Sequence, residues 1–141
     1  MASLRPPAWG FGATPEQADD LLALVLSGTK TATSGALWDY EAEGEELPTP
    51  GGLDIVTDGR GVPHALLVTT HVDIVPFDEV SAEHAYLEGE GDRSLATWRD
   101  VHERFFTEHA VHHRGFSRDM PVVLQRFAVL YSETSAGLGS E

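Results

Sequence analysis

The chain contains no cysteine. That excludes a disulfide framework and any thiolate-ligated zinc centre, and it fits a reducing compartment. Basic residues are scarce as well: nine Lys and Arg stand against 23 Asp and Glu, a formal charge of −14. Proteins that grip a long phosphate backbone carry a basic stripe that displaces counterions. This chain repels polyanions at long range, so its charge favours a small ligand and excludes long duplex nucleic acid as the expected partner. A local basic groove remains open to it, because Arg93, Arg99, Arg104, Arg114, Arg118 and Arg126 all fall in the last third. No apolar run is long enough for a signal peptide or a membrane span. The expectation is a cytoplasmic protein without membrane contact. Its 141 residues fit one domain, which can bury about two-thirds of the surface its unfolded chain exposes. Nothing in the sequence specifies an oligomeric state.

Periodicity divides the chain into an N-terminal arm over 1–13, one domain over 14–131 and a disordered tail over 132–141. In the arm, breakers surround Trp9 and Phe11, which are expected to pin it to the body. Thr14, Pro15 and Gln17 form an N-terminal capping signature. Ala18, Leu21, Leu22, Val25 and Leu26 then follow at helical spacing, and Gly28 supplies the stop. Residues 31–33 begin an extended segment. The acidic, Gly- and Pro-rich stretch 38–52 reads as a loop. Strands are expected over 53–57 and 65–75, joined by the Asp58-Gly59-Arg60-Gly61 turn into a hairpin. Helices are expected over 81–88 and from Ser94 onward, the second with Leu95, Trp98, His102 and Phe105 on one face. A loop over 109–119 precedes a last strand over 122–131. This is not βαβ alternation. It reads as α+β, with the strands forming a small barrel or curled sheet.

Three places could carry chemistry. The segment Gly28-Thr29-Lys30-Thr31-Ala32-Thr33-Ser34-Gly35 packs one lysine among hydroxyls. It is not a phosphate-binding P-loop, since a helix precedes it and the first glycine is missing. An exposed lysine beside β-favouring threonines would leave the same pattern. In the second place, His84 and Glu88 share a helix face. Glu88 ends that helix, where the macrodipole disfavours a negative charge, so a cation such as Lys30 or Arg93 should hold it. Glu88, Glu90 and Asp92 could offer oxygens to a hard cation, but their spacing matches no EF-hand. The third place is His109, His112 and His113, with His102. It could suggest zinc, but no cysteine supports it, and neither a metal nor a cofactor is expected. Tyr40 and the other aromatics could stack on a base, although Trp98 reads as core.

Taken together, these segments resemble the ASCH family in its longer bacterial form. The resemblance runs from about Trp9 to Tyr131. It rests on Leu26-Ser27-Gly28-Thr29-Lys30-Thr31-Ala32-Thr33 after a helix and Leu47-Pro48-Thr49-Pro50-Gly51 before a strand. It continues through Glu88-Gly89-Glu90-Gly91-Asp92-Arg93-Ser94-Leu95, Trp98-Arg99, His102 and Arg126-Phe127. The Gly-x-Lys-x-x-Thr piece alone is weak; combined in order with the run from Glu88 to His102, it is strong. The resemblance implies a PUA-like fold, a small β-barrel flanked by helices, with a cleft for a nucleobase-like ligand. Some smaller members hydrolyse the amide of N4-acylated cytidines with a Lys, a Thr and a Glu. By motif position these are Lys30, Thr33 and Glu88 here, with Thr31, Ser34, Tyr40, Glu90, Asp92, Arg93 and Arg99 as candidate ligand contacts. Those members also carry an Arg shortly after the Thr. Ser34-Gly35-Ala36 stands there instead, which leaves Arg93 as the candidate replacement.

The residues suit the reaction. Amide hydrolysis needs a nucleophile, a proton shuttle and charge stabilisation. Thr33 can attack. Either Lys30 is the base and Glu88 returns a proton to the leaving amine, or Glu88 is the base and a charged Lys30 stabilises the oxyanion. The implied partner is a small nucleoside-like ligand or short RNA. The alternatives are a non-catalytic RNA-binding module and an endoribonuclease acting on single-stranded RNA.

Overall fold

A computed structural model of the chain describes residues 6–132; of the tail expected over 132–141, Ser132 belongs to the last strand and the rest lies outside the described residues. The chain begins with strand β1 (Ala8–Trp9) and helix α1 (Pro15–Leu26). The Thr14 hydroxyl accepts the Gln17 N–H at 3.1 Å, and the Gln17 side chain accepts the Ala13 N–H at 2.7 Å. The apolar stripe of α1 buries Ala18, Leu22 and Val25. Strand β2 (Ala32–Ala36) runs directly into helix α2 (Leu37–Glu43).

Helix α2 corrects the expectation of a loop over 38–52: only 44–52 is without helix or strand. It has seven residues, buries none of them and lacks a side-chain N-cap, so neither periodicity nor capping announces it. Gly44 ends it in the left-handed conformation, φ 66°.

Strands β3 (Leu53–Thr57) and β4 (Pro63–Pro76) form the expected antiparallel hairpin. The Asp58 carboxylate accepts the Arg60 and Val62 N–H groups in the turn. Helices α3 (Ala82–Glu88) and α4 (Leu95–Glu108) follow, capped by the Ser81 and Ser94 hydroxyls. Strand β5 (Pro121–Ser132) closes the order.

The five strands make one mixed sheet in the order β1-β3-β4-β5-β2, parallel only between β1 and β3. β1 and β2 occupy its two edges and no ladder joins them, so the sheet is open where a closed barrel was implied. β1 contributes two residues, both paired with β3, which leaves little strand with which to close. The edges nevertheless face a common cleft, since Trp9 of β1 and Thr33 to Gly35 of β2 line it together. The long β4–β5 ladder is irregular: Thr69 pairs with Phe127, but His71 pairs with Arg126, so Thr70 is an extra residue.

Two apolar clusters flank the sheet. Phe77, Trp98, Phe106 and Met120 belong to one, and Phe11, Leu22, Leu67 and Phe127 to the other. The strand segment at the N-terminus is thus pinned as its aromatics suggested. Phe11 is buried, Trp9 meets it edge-on at 4.9 Å, and the Trp9 indole N–H donates to Asp54 at 2.9 Å.

Candidate functional site

The site is set by the way α1 ends. Gly28 turns the chain at φ 82°, and the Thr29 and Lys30 N–H groups both donate to the Leu24 carbonyl. Thr31 then stitches two distant elements together. Its N–H donates to the Leu87 carbonyl at 2.8 Å, and its carbonyl accepts the Phe127 N–H at 3.0 Å. The exit of α1 therefore lies against the C-terminal end of α3. There Gly89 adopts φ 74°, and a Cβ on it would lie 2.6 Å from the Thr29 carbonyl oxygen. Only glycine fits both the conformation and the approach, and this contact sets Glu88 and Glu90 beside Lys30.

Lys30 is the single lysine of the chain, and it is buried, 1% exposed. Its Nζ is 2.8 Å from Glu90 Oε2, 3.5 Å from Glu88 Oε1 and 3.4 Å from the Glu88 carbonyl oxygen. Glu88 is equally buried. Its Oε2 accepts the Trp98 indole N–H at 2.8 Å and lies 2.7 Å from His84 Nε2, while its Oε1 is 3.5 Å from His102 Nε2. His102 Nδ1 lies 2.9 Å from the Trp98 carbonyl, which makes that nitrogen the donor, and the ring stacks on Trp98 at 4.3 Å.

A carboxylate taken out of water is costly unless neighbours compensate. Burial pushes the Glu88 carboxyl up, but the Lys30 charge and the hydrogen bonds of His102 and His84 outweigh it and hold the group well below the usual carboxylate range. Burial opposes protonation of His102; its hydrogen bond to Glu88 and the charges of Glu88 and Glu90 prevail and raise it above the ordinary histidine value.

A cleft of two lobes opens onto this cluster. The smaller, about 240 Å³, is lined by Lys30, Thr33, Glu88, Glu90 and His102, with Val101 and Phe105 on an apolar wall. The larger, about 620 Å³, is lined by Trp9, Tyr40, Asp54, Thr69 and Gln125 among others. Phe11, Gly12, Thr33 and Ser34 belong to both.

Of the residues singled out in the sequence, Lys30, Thr33, Ser34, Glu88 and Glu90 meet in the small lobe, and Tyr40 lies in the large one. Thr31 contributes through its backbone. Asp92, Arg93 and Arg99 line neither lobe. Asp92 accepts the Ser94 N–H ahead of α4. The Arg93 guanidinium stacks on Tyr86 at 3.6 Å and donates to the Tyr86 and Thr29 carbonyls. Arg99 donates to the Asp78 carbonyl. Arg93 thus braces the Thr29 turn and does not replace the missing arginine.

Among the described residues, Glu88, Glu90 and His102 are the one set whose ligand atoms lie close enough to hold a metal ion, within 4.8 Å of one another. The Lys30 ammonium already stands beside both carboxylates. The histidines at 109, 112 and 113 form no such set; His112 packs edge-on against Trp38.

Sequence reasoning left three functional residues outside the site. His102 reads from the sequence as a partly buried residue of the α4 face, yet its i,i+4 spacing from Trp98 foretells their stacking. His84 shared a helix face with Glu88, which was the available signal. Gln125 carried none.

An open mixed sheet, flanking helices and a two-lobed polar cleft around a buried lysine define a small α+β domain. The chain belongs to the ASCH domain family, whose model matches residues 7–131. It is similar to the crystal structure of a protein from Enterococcus faecalis V583, at 38% identity and a TM-score of 0.87, over 100% of this chain and 86% of that one. It is also similar to an ASCH domain from Lactobacillus crispatus JV V101, at 34% identity and a TM-score of 0.79, over 89% of this chain and 80% of that one. No curated protein matches the sequence. Among the described residues no helix is long and apolar enough to cross a membrane.

Proposed function

We propose that this protein is a cytoplasmic hydrolase that cleaves the amide of a small N4-acylated cytidine-type nucleoside. One observation carries the reading. A buried lysine, ion-paired to two carboxylates, forms the floor of a cleft that it shares with a threonine hydroxyl. Lys30 is ion-paired to Glu88 and Glu90, so it serves as the electrostatic group. Glu88 has its Oε2 hydrogen-bonded by His84 and Trp98 and its Oε1 3.5 Å from both Lys30 and His102, and its pKa lies well below the ordinary carboxylate value. It is therefore a positioning residue for Lys30, where the sequence had suggested a proton donor or base. Glu90, 26% exposed and 2.8 Å from Lys30, is the proton shuttle.

The steps balance. Thr33 Oγ attacks the acyl carbonyl while its proton passes to Glu90, and Lys30 stabilises the oxyanion. The C–N bond then breaks as Glu90 returns the proton to the departing cytosine amine. Water cleaves the threonyl ester, which restores the hydroxyl and frees the carboxylic acid. The net charge of −14 and the engagement of Arg93 and Arg99 by backbone carbonyls weigh against RNA as the ligand.

The test is chromatographic turnover of a panel of N4-acylated cytidines. Wild type should release cytidine, and Lys30→Ala, Thr33→Val and Glu90→Gln should each lose about 100-fold or more in kcat, a typical effect of removing an acid–base or oxyanion group. Absence of turnover by wild type refutes the proposal. Full activity in Thr33→Val refutes the nucleophile.

A further inference from the structure

The larger lobe has a polar floor with unmet hydrogen-bonding capacity. Ser34 Oγ is buried and has no partner. Gln125, 6% exposed, lines the same wall, and its amide N–H donates to Thr69 Oγ1 at 2.8 Å. Buried polar groups in native proteins are nearly always satisfied, so the unpartnered Ser34 hydroxyl on the cleft wall calls for an explanation. Tyr40 stands beside them. Its ring approaches Gly35 so closely that a Cβ there would lie 3.2 Å away. The charge on this lobe has one sign. Glu45, Glu46 and Asp54 line it, and among the described residues no Lys, Arg or His does.

Resting on the hydrolase reading above, we infer that the larger lobe is the nucleoside-recognition subsite, that Ser34 and Gln125 read the base, and that its acidic wall rejects 5′-phosphates. The acyl group then lies in the smaller lobe against Lys30 and Thr33, with Val101 and Phe105 as its apolar wall. Ser34 and Thr33 are shared by the two lobes, so the scissile amide falls at their junction. The class of substrate is an uncharged nucleoside or base. A nucleotide would bring a dianion toward carboxylates that no described cation in that lobe offsets.

The test reads binding of unacylated cytidine and cytidine 5′-monophosphate by calorimetry, so it does not depend on turnover. Wild type should bind cytidine at least about tenfold more tightly than the monophosphate at low salt, with the gap narrowing as salt is added. Glu45→Gln/Glu46→Gln should strengthen monophosphate binding relative to cytidine and so narrow the gap. Ser34→Ala is the decisive variant. Its hydroxyl has no partner in the free protein, so its removal should leave thermal stability unchanged or raised while weakening cytidine binding about two- to tenfold. Gln125→Leu should weaken it further. Equal or tighter binding of the monophosphate by wild type, or unchanged cytidine affinity in Ser34→Ala, overturns the inference. Cytidine binding lost in Ser34→Ala without any turnover by wild type would retain the subsite and sink the hydrolase. Turnover without nucleoside selectivity would do the reverse.

Discussion

Replacing Lys30 by Met tests the buried charge cluster directly. The side chain keeps its length and loses its charge, so Glu88 remains buried with only His84, His102 and Trp98 around its oxygens. Breaking a buried pair by removing one partner costs about 3–5 kcal/mol, because the other charge is left uncompensated. A domain of this size unfolds with an entropy of about 0.3 kcal/mol/K, so the loss corresponds to about 10–17 °C in Tm at neutral pH. The pH dependence carries the mechanism. In wild type the folded pKa of Glu88 lies below its ordinary value of 4.5. Its contribution is therefore complete above that value and lost as pH falls through the depressed one. In Lys30→Met burial dominates and raises the folded pKa. The penalty is then complete above the raised value and relieved as pH falls toward the ordinary one. Thermal unfolding followed by circular dichroism at a series of pH values should show the gap between the two proteins shrinking on acidification. The double variant Lys30→Met/Glu88→Gln should recover at least half of the loss. A gap below about 3 °C, roughly 1 kcal/mol, or one that does not change with pH, would refute the reasoning.

Two further perturbations probe the frame of the site. The raised pKa of His102 makes its stabilising contribution complete below the ordinary histidine value and lost as pH rises through the folded one. The imidazole should accordingly titrate on the alkaline side of a free histidine by NMR, and His102→Gln should flatten that limb of the stability profile; titration on the acid side would contradict the assigned hydrogen bond to Glu88. Gly89→Ala combines a left-handed backbone with a 2.6 Å clash against the Thr29 carbonyl. Chemical denaturation should show a loss of about 2 kcal/mol or more, and a neutral substitution would mean that α3 does not rest on the α1 exit as described.

How far the sequence foretold all this depends on what kind of signal each feature leaves. Caps at Thr14 and Ser94 are local chemistry and marked two helix starts correctly. The approach of Lys30 to Glu88 was legible because a carboxylate at a helix C-terminus demands a cation. Arg93 was misassigned for the same reason: a sequence offers cations without saying which carbonyls they will brace. α2 was hidden because it buries nothing. Open versus closed sheet, and the way Gln125 reaches Thr69 across β4 and β5, depend on long-range register, which no window of residues contains.

The extra residue at Thr70 in the β4–β5 ladder bears on how this domain tolerates change. Upstream of it the odd positions Ala65, Leu67 and Thr69 turn inward. Downstream, Val72 stands opposite Gln125, so the positions of β4 that share a face with Gln125 and Phe127 have switched from odd to even. Thr70 itself is exposed and can be exchanged for many residues. Its removal cannot be absorbed in the same way, because it would straighten the ladder and turn one half of β4 over. At this point the number of residues matters more than their identity, so a scan of substitutions alone would rank as unimportant a position where a single-codon deletion should disrupt the wall of the cleft.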